Sequence, residues 1–310
     1  MAVNLVLISR GPEFTDEWQS AFAGIESVNI VAEGDPESLS AIGALVWEPP
    51  RGALKRYRHL KAVFNLGAGV DVLIADSSLR EVPIVRLENS GMCALMPEYV
   101  LYQVLRIHRS FGEVERRQRE AMWGWMPPAI PARNCRVTVL GIGRLGLPTA
   151  KALRAVGFTV SGWSRTPKAL PGVPCYVGRD SLENLLPTTD IVICMLPLTD
   201  ETRGLLNASL FRLLPRGASV INASRAGCVN ESDLLAALES GQLGHATLDC
   251  FDVEPLPESH AFWRHPLVTV TPHMAADPAA SACVGEIVAN VERLIRGQPM
   301  HGVVDRIRGY

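Results

Sequence analysis

The sequence predicts an α/β chain of two doubly wound parallel-sheet domains with a cleft between them. Three observations carry that expectation. Short apolar runs without strict alternation recur in two series, the texture of strands covered on both faces by helices. Helix-length stretches separate most members of the second series, as a parallel sheet requires. A length of 310 residues, 47% of them hydrophobic, exceeds what one core normally supports and supplies material for two.

The first series is Val3–Ile8, Val28–Val31, Ile42–Trp47, Ala62–Leu66 and Ile84–Leu87. A helix over Met96–Gln118 follows, with Val100, Val104, Ile107 and Phe111 at helical spacing. Pro97 then falls in its first turn, where a missing N–H is harmless. Leu101 and Leu105 widen the apolar stripe, so the helix should pack on a neighbour or a second subunit. Residues 121–135 hold two tryptophans and three prolines and read as an extended crossing segment. The second series is Arg136–Leu140, Phe158–Trp163, Ile191–Leu196, Ala218–Asn222, His245–Phe251 and Leu267–Thr271. Helices are expected at Leu145–Val156, at Glu231–Ser240 and over Ala279–Arg296, the last with Val284, Ile287, Val288, Val291 and Ile295 on one face.

Thirty basic against 32 acidic residues give a formal charge of −2, which argues against a protein that coats nucleic acid. No apolar run approaches the ~18–20 residues that span a bilayer. The opening run Val3–Ile8 is too short for a signal-peptide core and has no basic segment before it. Seven cysteines without a CxxC pair suit reduced thiols. These features predict a soluble cytoplasmic protein with no nucleic-acid or membrane partner. His260 and His265 share a proline-flanked loop without CxxC or HExxH nearby, so no metal is expected.

Gly141-Ile142-Gly143-Arg144-Leu145-Gly146 reads GxGxxG directly between a strand and a helix, the context of a Rossmann-like dinucleotide loop. The first glycine permits the tight turn, the second lets backbone approach a pyrophosphate, and the third lets helix pack on strand. The helix N-terminus then offers N–H groups and a positive dipole to phosphate. An NAD site usually places an acid about 20 residues on, to hold the ribose hydroxyls. Here the next strand ends in Ser164-Arg165-Thr166, and no acid occurs from Ala121 through Arg179 against eight Lys or Arg. Arg165 can pair with a 2′-phosphate that a carboxylate would repel, so NADPH is expected, with NADH as the weaker alternative.

Three ionisable residues follow later strands: Arg225 in Ile221-Asn222-Ala223-Ser224-Arg225, Glu254 in Asp252-Val253-Glu254-Pro255, and His273 in Thr271-Pro272-His273. In a parallel sheet all three emerge at the carboxyl edge, where ligands bind. Together a guanidinium, a carboxylate and an imidazole there make an acid/base site.

At these residues the chain resembles the D-2-hydroxyacid dehydrogenase family, most closely its glyoxylate/hydroxypyruvate reductase branch. The matching pieces, in the family's order, are Gly67-Ala68-Gly69-Val70-Asp71, the GxGxxG loop, Met195-Leu196-Pro197-Leu198-Thr199, Ile221-Asn222 to Arg225, Leu248-Asp249 to Pro257, and Thr271 to Ala276. Ala226 stands where many members carry glycine. Val46-Trp47-Glu48-Pro49-Pro50, with Trp123, looks like the glyoxylate/hydroxypyruvate branch.

The resemblance implies reduction of a small 2-oxo acid, glyoxylate or hydroxypyruvate, by hydride from the nicotinamide. His273 would donate the proton as general acid, Glu254 would hold the imidazolium, and Arg225 would bind the carboxylate and polarise the keto oxygen. Backbone N–H groups of Ala68, Gly69 and Val70 would cradle the substrate carboxylate, with Trp47 beside them. Cofactor contacts are implied at Gly141, Gly143, Arg144, Leu145 and Gly146, and at Ser164, Arg165 and Thr166. They continue at Leu196, Pro197 and Ala223, with Asp249 orienting the nicotinamide carboxamide. It also implies an inserted nucleotide domain, 100–281, within a discontinuous substrate domain, 1–99 with 282–310, and a homodimer whose contact is the Met96–Gln118 helix.

Two other readings stand beside this one. The same site could reduce a bulkier or aromatic 2-oxo acid, with Trp47 and Trp123 either stacking on a large ring or closing a small pocket. Ordinary core packing accounts for two tryptophans equally well. Alternatively, a non-catalytic nucleotide-sensing interaction protein could use this fold, since fold alone does not establish turnover.

Overall fold

The computed structural model describes residues 2–8, 12–79, 81–88 and 91–308. It divides into two compact units, Met1–Met92 with Asp277–Tyr310, and Cys93–Ala276. The divisions expected at 99/100 and 281/282 both lie a few residues later than these. Met96, Val100 and Val104 are buried in the core of the second unit, which holds their helix there. On the other side, the Ala280 N–H donates to Glu17 Oε1 at 2.9 Å and ties its segment to the first unit.

The chain opens with β1 (Val3–Ile8), α1 (Pro12–Ala21), β2 (Val28–Ala32), β3 (Gly43–Val46), β4 (Ala62–Asn65), α2 (Asp71–Ala75) and β5 (Ile84–Arg86). There follow α3 (Met92–His108), α4 (Phe111–Arg119), β6 (Arg136–Leu140), α5 (Gly146–Val156), β7 (Thr159–Trp163), β8 (Cys175–Tyr176) and α6 (Arg179–Leu185). Then come β9 (Ile191–Cys194), α7 (Ala208–Phe211), β10 (Ala218–Asn222), α8 (Glu231–Glu239), β11 (Leu243–Leu248), β12 (Val268–Val270) and α9 (Ala280–Ile295).

The first unit is a five-stranded sheet in the order β2-β1-β3-β4-β5, every pair parallel. All four residues of β3 and of β4 are buried, which is why these strands show apolar runs and no alternation. The chain's last segment completes this unit. Besides the Ala280–Glu17 bond, Val304 N–H donates to the Ile84 carbonyl at 2.8 Å, and Val303 bridges Val85.

The second unit is a seven-stranded parallel sheet, β12-β11-β10-β9-β6-β7-β8. The chain winds outward from β6 through β7 to β8, then returns to β9 and winds the other way. The order reverses between β6 and β9, and a crevice for a ligand opens beyond the carboxyl ends at such a point. Helix α3 packs on this sheet through Met96, Val100 and Val104.

The single helix expected over Met96–Gln118 is two. Helix α3 starts earlier, at Met92, so Pro97 lies inside it, and it ends at His108. Ser110 then takes a left-handed φ of 55° and redirects the chain. The physical difference between the halves is burial. Helix α4 buries no residue and is laced by Glu113 with Arg116 at 2.8 Å and with Arg117 at 2.6 Å.

One cluster in this unit makes stability depend on pH. His245 on β11 lies 3.0 Å through Nε2 from Thr269 Oγ1 on β12, and Arg106 Nη1 of α3 donates to the same oxygen at 3.0 Å. Burial, with the Arg106 charge beside it, lowers the His245 pKa to about 4. The unfolded chain takes up a proton near pH ~6.5 that the folded chain refuses until about pH 4. The contribution is therefore intact above that range and is lost as pH falls through it. The melting temperature should fall between pH 7 and about 4.5, and less steeply for His245→Gln. Parallel slopes for the two proteins would remove His245 as the cause.

Candidate active site

Strands β10, β11 and β12 end level. Asn222 pairs with Leu248, and Leu248 with Val270, so the residues just beyond them leave one stretch of sheet edge. Arg225 follows Asn222, Asp249 follows Leu248, and His273 follows Val270. This shared edge is what brings residues distant in sequence together.

Local bonds shape each turn. Asn222, 1% exposed, donates through Nδ2 to the Arg225 carbonyl at 2.9 Å. Its Oδ1 accepts the Ser224 N–H at 3.2 Å and hydroxyl at 2.7 Å. Arg225 Nη1 donates back to the Ser224 carbonyl at 2.9 Å. His273 has a left-handed φ of 53°, and its Nδ1 lies 2.9 Å from Glu254 Oε2 and 3.1 Å from Oε1. The carboxylate can only accept, so Nδ1 carries its hydrogen toward Glu254. Glu254 is itself oriented by the Phe251 N–H, which donates to Oε1 at 2.9 Å. The two side chains are 16% and 23% exposed, so the pair is sheltered but reachable.

Asp249 is buried, and burial raises its pKa. Its Oδ1 accepts the Thr271 hydroxyl at 2.7 Å and the Met274 N–H at 3.0 Å, while Oδ2 accepts the Ala275 N–H at 2.9 Å. The expected partner of a nicotinamide carboxamide thus also braces the His273 loop. Cys250 beside it is a buried thiol whose pKa burial pushes up, which suits an inert residue.

The glycine loop lies at the reversal of strand order. Gly141 has a φ of 102°, which favours glycine, and a Cβ there would strike the Met195 carbonyl. A Cβ on Gly146 would strike the Gly141 carbonyl, whereas Gly143 faces open space. Those are the three roles a dinucleotide loop assigns them. Arg144 and Leu145 lie in the turn, and α5 then presents its N-terminal end. Gly141 N–H donates to the Trp163 carbonyl at 2.8 Å, which brings the end of β7, with Ser164, Arg165 and Thr166, beside the loop. Arg165 and Thr166 are exposed, and buried Ser164 donates through Oγ to the Thr166 carbonyl at 2.7 Å. Leu196 and Pro197 follow β9, and Ala223 follows β10, at the same edge. The residues present fit a dinucleotide.

Ala68, Gly69 and Val70 lie in the first unit, after β4. Asn65, 2% exposed, donates through Nδ2 to the Gly67 carbonyl at 2.6 Å and the Gly69 carbonyl at 2.8 Å. In a trans peptide the N–H points opposite to the C=O, so the N–H groups of Ala68 and Val70 are turned away from Asn65. Backbone N–H groups presented together in this way are of the kind that can receive an anion. Trp47 is only 8% exposed and sits 3.8 Å from where a Cβ on Gly67 would be. Trp123 is the opposite case. It is 92% exposed, with its ring edge-on to Trp125 at 6.5 Å, so core packing does not describe it. His260 and His265 serve their turns, accepting through Nδ1 from the N–H groups of Phe262 and Leu267.

Asn65, Asn222, Tyr99 and Thr271 were not singled out from sequence as site residues. Only Asn65 and Asn222 had a visible signal, each a polar residue closing an apolar strand before a glycine or serine turn.

Residues 101–275 match the family model described as D-isomer specific 2-hydroxyacid dehydrogenase, NAD binding domain. The chain is 43% identical over 276 residues to a glyoxylate/hydroxypyruvate reductase A of Yersinia enterocolitica, covering 86% of this chain and 87% of that one. A counterpart from Serratia proteamaculans is 44% identical over 273 residues, with the same coverage. Among solved structures, a D-isomer specific 2-hydroxyacid dehydrogenase from Xanthobacter autotrophicus Py2, in complex with NADPH and MES, superposes with a TM-score of 0.90. It is 43% identical, and each chain is fully covered. An NADPH-dependent glyoxylate/hydroxypyruvate reductase from Sinorhizobium meliloti, with NADP and sulfate, gives 0.91 at 34% identity, covering 99% of this chain and all of that one.

Proposed function

Because the chain belongs to the D-isomer specific 2-hydroxyacid dehydrogenase family, we propose that it reduces glyoxylate and hydroxypyruvate to their 2-hydroxy acids with NADPH. The observation that supports this most is the sheltered His273–Glu254 pair on the same sheet edge as Arg225. NADPH, when bound, supplies the hydride. Arg225 binds the substrate carboxylate and draws charge onto the keto oxygen, an attraction that grows as the oxyanion develops. His273 gives that oxygen its proton from Nε2, while Glu254 at Nδ1 fixes the ring and balances its charge. Within the first unit, the N–H groups of Ala68, Gly69 and Val70, with Trp47 beside them, are suited to a carboxylate. Asp249 holds the carboxamide of the nicotinamide. Mixing the protein with NADPH and glyoxylate or hydroxypyruvate, and following reduced-nicotinamide absorbance, tests the assignment. Turnover is expected with both acids. Binding of NADPH without turnover of any 2-oxo acid would favour a nucleotide sensor.

NADPH is the preferred cofactor in this reading, with NADH the weaker one. The acid-free stretch around Ser164-Arg165-Thr166 supports that, as do relatives bound to NADPH or NADP. Arg165→Asp should lower the kcat/KM ratio of NADPH to NADH by about tenfold or more, since a charge-assisted pair becomes a repulsion. An unchanged ratio would place the 2′-phosphate elsewhere.

The protein acts as a homodimer. Supporting this is an exposed apolar face on α3 and α4, with Tyr102 at 58% and Phe111 at 47%, continued by Trp123 and by Trp125 at 89%. Large aromatics this open are uncommon on a lone chain and mark contact surfaces. Light scattering should give twice the 33.7 kDa chain mass. Trp125→Glu should shift the population toward the single chain, and a monomeric wild-type protein would refute the assignment.

A further inference from the structure

A chain of hydrogen bonds runs from α3 into the loop that carries His273. We propose that Tyr99 and Thr271 form a one-directional relay that fixes the Asp249 carboxylate and, through it, the backbone on both sides of His273. Tyr99 and Thr271 are then positioning residues for the proton donor, a role that rests on the reductase reading above.

The direction of the relay follows from which groups can donate. Ionised Asp249 only accepts, so the Thr271 hydroxyl must spend its one proton on Oδ1, at 2.7 Å. Tyr99 Oη and Thr271 Oγ1 are 2.7 Å apart, and with the Thr271 proton already spent the phenol is the donor. Every proton in the series points toward one carboxylate, and such chains polarise cooperatively.

Asp249 delivers the other end of the relay to His273. Thr271 lies two residues before the histidine, while Met274 and Ala275 follow it and donate their N–H groups to Asp249 at 3.0 and 2.9 Å. His273 is thus clamped from both sides, at a left-handed φ of 53° that L-residues seldom hold unless their surroundings compel it. That backbone aims Nδ1 at Glu254. Helix α3, which shows no chemical motif in sequence, supports the catalytic loop through Tyr99.

The test compares Tyr99→Phe, Thr271→Val and Thr271→Ser with wild type. It reads kcat and KM for glyoxylate, the Kd for NADPH, and hydrogen exchange of the Met274 and Ala275 amides in the protein alone. Losing one hydrogen bond is typically a factor of about five, and leaving its partner unsatisfied adds more. Thr271→Val should therefore lose about tenfold or more in kcat, and Tyr99→Phe about fivefold, with KM and the NADPH Kd within about twofold. Thr271→Ser keeps the hydroxyl and should recover most of the rate. Amide exchange should quicken in the Val and Phe variants but not in Ser. Unchanged kcat, equal losses in Ser and Val, a loss confined to NADPH affinity, or unchanged exchange would each overturn the relay. If wild type reduces no 2-oxo acid, the reductase reading fails, and the exchange measurement still decides the clamp by itself. Tyr99→Phe is nearly isosteric and answers the question should Thr271→Val not fold.

Discussion

Arg225→Ala is expected to lower kcat/KM for glyoxylate by about 10²–10³-fold, the range seen when a preorganised donor to a developing oxyanion is removed. The reasoning starts at Asn222. Its side chain holds the turn that carries Arg225, through the Arg225 carbonyl at 2.9 Å and the Ser224 hydroxyl at 2.7 Å, so the guanidinium is delivered by a braced loop. The glycine loop and Arg165, proposed to hold the nucleotide, are separate features of the same unit. The NADPH Kd should therefore stay within about twofold, since removing one binding group leaves the others intact. Arg225→Lys keeps a charge but not the planar fork, and should recover only part of the loss. Steady-state kinetics with a separate fluorescence titration of NADPH checks this. A defect confined to cofactor affinity would mean that Arg225 serves the nucleotide and not the substrate.

His273→Gln should cost about 10²–10⁴-fold in kcat, the range of general acid catalysis. Glutamine can still donate one hydrogen bond to a keto oxygen, but it cannot give up the proton. Substrate KM should therefore change much less than kcat, because the interaction lost is one made chiefly as the oxyanion forms. The Glu254 partner, 2.9 Å from Nδ1, would be left facing an amide. If kcat of His273→Gln stayed near wild type, the proton would come from elsewhere, and solvent would be the first alternative to examine.

Much of this was readable before any coordinates, and the exceptions have physical reasons. Buried parallel strands announce themselves as apolar runs, so β6 and β10 fall on the expected residues. Other runs outlast their strands. Trp47, Leu66 and Leu196 stay buried past the last paired residue, and apolarity reports burial, not pairing. Helix α1 is not among the expected elements, although Phe14, Trp18 and Phe22 recur every fourth residue and their rings lie 6.0 and 6.3 Å apart. Helices as short as α7 and a strand of two residues such as β8 carry too few positions for any period to show. The break between α3 and α4 falls at Ser110, and the nearest glycine, Gly112, already lies inside α4 and does not mark it.

The site divides the same way. Arg225, Glu254 and His273 stood out because charged and imidazole side chains after apolar strands are conspicuous. Their supports did not. Thr271 and Tyr99 are common residues whose meaning arises only when α3 is laid beside the end of β12, 172 positions apart in the chain. Asn65 is visible as a polar residue closing an apolar strand, but no pattern in sequence orients the carbonyls it holds.

The most direct test is a crystal structure of the protein with NADP⁺ and oxamate, a non-reducible mimic of a 2-oxo acid. The mimic's carbonyl oxygen should lie within about 2.6–3.2 Å of His273 Nε2 and within similar reach of Arg225. Glu254 should remain on Nδ1. A mimic bound with that oxygen beyond reach of both side chains, His273 facing no ligand and Arg225 turned to solvent, would contradict the account.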